Sequence, residues 1–201
     1  MWSPHEIVHF WFGEPGPDGL PDPAYKKAWF MPTRARDAEI RKRFMGMLTL
    51  LEEGGFDHWQ ETPEGTLAGI LLLDQFSRQI YRGTALAFGG DRMARMWMRR
   101  GLDRAQDVDL MLVQRAFFYM PLQHSERLAD QREGVALYEQ LVHLAEGPLR
   151  VLLQGFLDSA REHCAIIERF GRFPHRNRVL KRPSTDAERV WLADTGKRFG
   201  Q

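Results

Sequence analysis

Residues 66–83 read TLAGILLLDQFSRQIYRG, and this stretch decides the fold. Ile70 through Leu73 are four consecutive apolar residues, and at 100° per residue they cover most of a helix circumference, so this half of the helix is expected to be buried all round. Outward from it, helix punctuation recurs from end to end. Ser3, Pro4 and Glu6 make a capping box with proline at the first helical position, and Gly13 stops that short helix. A second segment carries Tyr25, Trp29 and Phe30 and ends at Pro32. Residues 34–53 form a long helix closed by Gly54 and Gly55. Further helices are predicted at 64–82, 91–101, 108–120, 126–145, 148–170 and 186–199, the last opened by a capping box of Thr185 with Glu188. No run alternates apolar and polar residues between turns, so no strand is predicted. The fold class is all-α: antiparallel helices stacked as hairpins, in either a closed bundle or a curved helical-repeat array. No 34-residue repeat imposes that array over a closed bundle.

The 201 residues suit a single domain, 1–201, with one well-buried core. Lys and Arg number 28 against 27 Asp and Glu, so global charge predicts no partner and weighs against nucleic acid. Cys164 is the lone cysteine, which excludes an intramolecular disulfide and suits a reducing compartment. The first residues, MWSPHEIVHFWFG, lack a basic segment ahead of an apolar run, and no apolar run is long enough to span a bilayer. A cytoplasmic protein with no membrane partner is expected.

Four places carry polar chemistry. In the helix 64–82, Asp74, Gln75, Arg78 and Arg82 fall within one 100° sector, opposite Leu72, Leu73, Phe76 and Ile80. That sector is either a solvated stripe with an Asp74–Arg78 pair or a cleft wall whose guanidinium forks meet a carboxylate or phosphate. His163 sits in the apolar stripe of Leu149, Leu152, Phe156, Ala160, Ile167 and Phe170, so it is a satisfied core histidine or a pocket floor that titrates. Cys164 beside it reads as a small buried hydrophobe. FFYMPLQHSE, residues 117–126, puts Pro121 at a helix end and Ser125 at the cap of the next helix, which leaves His124 and Glu126 to pair elsewhere.

The fourth place is the segment 170–188, FGRFPHRNRVLKRPSTDAE. With Arg169 it holds six Arg and Lys residues and no acidic residue before Asp186. Arg172, His175, Arg176 and Asn177 are its ligand-facing candidates. A carboxylate beside the buried ILLL run needs a cation, so the loop is expected to fold back and bring Arg172, His175 or Arg176 to Asp74, unless Arg78 alone satisfies it.

HEIVH, residues 5–9, matches the zinc-protease pattern HExxH. Glu6 is nevertheless the partner of the Ser3 cap, the helix is short, and no third ligand follows at a recognisable spacing. No metal and no cofactor are expected. No GxSxG, P-loop, GxGxxG or CxxC pattern is present, so no reaction is named.

LLLDQFSRQIYRGT (71–84), FFYMPLQHSE (117–126), IIERFGRFPHRN (166–177) followed by Ser184 and Thr185, and FWFG (10–13) resemble a bacterial family catalogued as domain of unknown function 924. The resemblance covers nearly the whole chain. It implies a cytoplasmic all-α, tetratricopeptide-repeat-like protein and carries no established activity. Such proteins have proline where this chain has Ser77, so a mid-helix kink is expected to be weaker or absent here. The leading expectation is a binding module that holds an anionic small molecule or an acidic peptide in a polar cleft. The alternatives are a hydrolase or transferase-type enzyme with His124 or His163 as general acid/base, and a scaffold with no small-molecule site.

Overall fold

The computed structural model describes residues 2–16, 18–31 and 33–196. Pro32, expected to end the second helix, and residues 197–199, assigned to the last one, lie outside these. The fold is all-α, and no strand occurs among the described residues. The helices are α1 (Pro4–Phe12), α2 (Pro23–Phe30), α3 (Arg34–Glu52), α4 (Pro63–Ile70), α5 (Ser77–Ile80), α6 (Asp91–Asp103), α7 (Leu112–Phe118), α8 (Met120–Gln123), α9 (Leu128–Leu144), α10 (Gly147–Phe170) and α11 (Asp186–Thr195).

The ends obey local chemistry. Thr33, Thr62 and Thr185 accept N-terminal backbone N–H groups of α3, α4 and α11, and Gly13, Gly171 and Gly196 take positive φ just past α1, α10 and α11. At α1 only half of the expected capping box forms. Ser3 Oγ accepts the Glu6 N–H, while the Glu6 carboxylate turns to Arg43, 3.3 Å away.

Ile70, Leu71, Leu72 and Leu73 are fully buried, as the run of four apolar residues requires. They lie where α1, α3 and α6 close around the α4–α5 segment. Between α4 and α5 the chain is not α-helical: Leu71–Phe76 form a π-helical segment. The Ser77 N–H reaches back five residues to the Leu72 carbonyl, and the Leu73 carbonyl thereby released is taken by Ser77 Oγ at 2.6 Å. The helix is thus interrupted by a π segment just before Ser77, whose hydroxyl satisfies the carbonyl that the segment releases.

α9 and α10 are joined by only Ala145 and Glu146 and pack along most of their length. Their ion pairs, Arg132–Glu168 and Glu139–Arg161, run in opposite sequence directions, which makes the hairpin antiparallel. The helix expected over 108–120 is broken into a 3-10 turn at Gln106–Asp109, α7 and α8. Pro121 stands at a helix end as expected, in the first turn of α8, where its missing N–H costs nothing. Ser125 does not cap α9; Arg127 is the cap residue, and Ser125 Oγ accepts the Arg127 N–H and donates to Asp130 at 2.6 Å.

Gly90 sets the start of α6 against the π segment. A Cβ there would lie 2.4 Å from the Leu73 carbonyl oxygen, so only glycine lets the two backbones meet and brings Asp91 beside Asp74 and Arg78. Gly90→Ala is expected to cost about 1–3 kcal/mol through overpacking. The check is a urea melt, and an unchanged midpoint would show that the two backbones separate freely.

After Gly171 the chain crosses back over α8 and the start of α9 through a 3-10 turn, Pro174–Arg176, and enters α11. It packs on a small second core of Ile166, Ile167 and Phe173 with Leu128, Phe170 and Trp191.

Candidate functional site

Asp74 is the centre. The π segment carries it into full burial, where an isolated carboxylate would be untenable. Arg78, one turn on, places Nη1 3.1 Å from Asp74 Oδ1, and His124 Nδ1 lies 2.7 Å from the same oxygen. The Gln75 amide donates to Asp74 Oδ2 and lies 3.0 Å from the Met120 sulfur. Burial alone would raise the Asp74 pKa, but the Arg78 guanidinium and then His124 outweigh it and hold the carboxyl well below its ordinary value. Asp74 is ionised at any physiological pH.

A second carboxylate, Asp91, joins two cations. Arg78 Nη2 is 2.9 Å from Asp91 Oδ1, and Arg176 Nη1 donates to Asp91 Oδ2 at 3.2 Å. Arg176 Nη2 donates to the His124 carbonyl at 3.0 Å, and its guanidinium lies 4.5 Å from the ring centroids of both Phe88 and Phe173. Burial, partly opposed by Asp91, lowers Arg176 to about 10, so it stays charged. Asp74 and Asp91 balance Arg78 and Arg176, and the core of the cluster is neutral.

Three imidazoles surround it. His124 is lowered by burial and by Arg78, against the opposing pull of Asp74, so it is neutral at pH 7. Its Nδ1–H then donates to Asp74, which leaves Nε2 as a lone-pair acceptor on a side chain 15% exposed. His163 is buried, with Nδ1 2.8 Å from the Ser159 carbonyl and its ring against Phe173 and near His124. Burial and the neighbouring His124 bring it to about 3. Burial and Arg176 bring His175 to about 3 as well. Gln75, Arg78, His124 and His175 form the partly exposed edge of the cluster, while Asp74, His163, Phe173 and Arg176 form its buried floor.

The sequence candidates therefore divide. Asp74, Gln75, Arg78, His124, His163, His175 and Arg176 come together. Arg82 does not: α5 ends at Ile80, Tyr81 leaves the helical conformation, and Arg82 forms a bidentate pair with Asp37 of α3 at 2.8 and 3.0 Å. Arg172 and Asn177 form a knot with Glu188, whose carboxyl is held at about 2 chiefly by Arg172. Glu126 accepts Arg182 through both carboxylate oxygens and the Phe173 N–H, and so ties the returning segment to the start of α9. The loop folds back as expected, but no loop cation pairs directly with Asp74. Arg78 and His124 already do, and Arg176 arrives through Asp91.

A model of bacterial proteins of unknown function, DUF924, matches residues 7–196. The chain belongs to this family. A solved structure of a protein of unknown function, ATU0120 from Agrobacterium tumefaciens, is similar at 35% identity, with a TM-score of 0.81 over 95% of this chain and 97% of that one. No curated protein matches. In this DUF924 protein the residues that sequence reasoning passed over are Asp91 and Phe88. Asp91 reads as an ordinary acidic residue in the first turn of a helix, and Phe88 belongs to a 3-10 turn without periodicity. The signal for both was the Gly89-Gly90 pair ahead of Asp91, which marks a close backbone approach.

Proposed function

We propose that this protein is a cytoplasmic, tetratricopeptide-repeat-like binding module that holds a small anionic ligand or an acidic peptide terminus at the edge formed by Gln75, Arg78, His124 and His175. One observation carries this reading. Arg176 Nε is buried and has no hydrogen-bond partner, and Arg78 Nη2, though close to Asp91, makes no aligned hydrogen bond. An unmet buried donor costs about 1–3 kcal/mol, which a carboxylate or phosphate oxygen that parts the edge residues and reaches the floor would recover. The internal carboxylates keep both guanidiniums ordered before a ligand arrives. Cys164, free and buried, fits a reducing compartment.

The 2.7 Å Asp74–His124 bond favours a second reading, a hydrolase or transferase-type enzyme in which Asp74 orients His124 and Nε2 takes a proton from the substrate. A thermal-shift screen of phosphate, sulfate and small carboxylates on wild type, Arg78→Gln and His124→Gln separates a ligand site from a scaffold, and a product assay on the compounds that bind separates module from enzyme. A module loses its ligand-dependent shift in Arg78→Gln and keeps most of it in His124→Gln. An enzyme binds in His124→Gln but no longer turns the ligand over. Equal stabilisation of all three proteins by every anion would leave the scaffold reading, because sulfate also stabilises through surface exclusion.

A further inference from the structure

We propose that His5 and His9 form a two-imidazole chelate for a divalent transition-metal ion, remote from the charge cluster and independent of the function proposed above. The two residues stand one turn apart on α1, and their rings stack with centroids 5.9 Å apart and planes 24° apart. Each ring is oriented by its own carboxylate. His5 Nδ1 lies 3.1 Å from Glu64 Oε1, and His9 Nδ1 lies 3.1 Å from Glu14 Oε1. A carboxylate at Nδ1 keeps the proton on that nitrogen and presents the Nε2 lone pair for coordination. Both side chains are accessible, at 72% and 46% exposure, so an ion reaches the two Nε2 atoms without any rearrangement of the core.

This departs from the expectation that HEIVH holds no metal, and the departure is limited. Glu6, the general base of a zinc protease, pairs with Arg43 instead. Among the described residues no group of three or more metal-ligating side chains could hold an ion, so water completes the coordination sphere and no hydrolytic centre arises. Two imidazoles favour Cu²⁺ over Ni²⁺ and Zn²⁺ by the general order of divalent affinities.

The test is titration of the whole protein with Cu²⁺ at neutral pH, followed by electron paramagnetic resonance. Wild type is expected to bind one ion more than the His5→Ala/His9→Ala double variant, with nitrogen hyperfine structure from two imidazoles. Glu64→Gln and Glu14→Gln should each weaken binding by about 10-fold or more. All four positions are accessible, and a melting curve confirms that the variants fold. Equal Cu²⁺ binding by wild type and the double variant would overturn the proposal, and so would glutamate variants of unchanged affinity.

Discussion

Asp74→Ala is expected to remove about 3–5 kcal/mol of stability, the cost of breaking a buried charge network by removing one member. Arg78 would keep Asp91, but at a position without hydrogen-bond alignment, and the Nδ1–H of His124 would lose its acceptor inside the fold. The Gln75 amide would lose its acceptor too. Asp74→Asn separates charge from shape, because the amide oxygen still accepts from His124 while the Coulomb attraction to Arg78 is gone; it should fall between wild type and alanine. Asp74→Ala/Arg78→Met should recover part of the loss, since both charges leave together. Urea denaturation of the four proteins reads all of these effects. A loss below about 1 kcal/mol for Asp74→Ala would mean that solvent reaches the site and that the charge network contributes little.

Acid should unfold this protein earlier than its carboxylates alone would dictate. His163 and His175 titrate near 3 in the fold against about 6.5 in an unfolded chain, so between these values the unfolded state binds more protons. Stability is therefore full above about pH 6.5 and falls as pH drops through the window from about 6.5 to 3. His124, displaced in the same direction, adds to the slope. A tenfold difference in proton affinity between the folded and unfolded chain is worth about 1.4 kcal/mol, so each of the two low histidines can contribute on the order of several kcal/mol across the full window. The stabilising contribution of Asp74, whose pKa is depressed, goes only below its ordinary value near 3.8. Denaturation midpoints measured from pH 7 to pH 5 should slope downward. His163→Asn, whose amide can still donate to the Ser159 carbonyl, should flatten that slope. A wild-type midpoint constant down to pH 5 would show that the imidazoles gain protons without disturbing the fold.

The helical order of the chain was readable because its signals are local. Threonine and serine caps, glycine stops and the ILLL run each act within a few residues of their effect. The burial of His163 was readable too, because α10 is a long regular helix on which 100° per residue holds throughout. The same arithmetic failed for Arg82, because a π segment and an early helix end intervene between it and Asp74. The basic loop misled for a different reason. Its cations were counted without their partners, and those partners lie far off in sequence: Asp91 for Arg176 and Glu126 for Arg182. The density of arginine in 169–182 reflects the need to fasten a returning segment as much as any external anion.

That fastening sets an order of events during synthesis. Asp91 leaves the ribosome long before Arg176, 85 positions later, and Phe173 comes just ahead of that arginine to cover His163. Helices up to α9 can assemble as they emerge, but until residues 171–182 follow, Asp91 lacks one of its two cations, the Glu126 carboxylate waits for Arg182, and the Ile166–Ile167 surface lacks Phe173. A polypeptide cut short near residue 170 would thus expose apolar surface beside unmatched charge, the features by which proteases and chaperones sort incomplete products. The returning segment makes the native state of α6, α9 and α10 depend on residues that are synthesised after them.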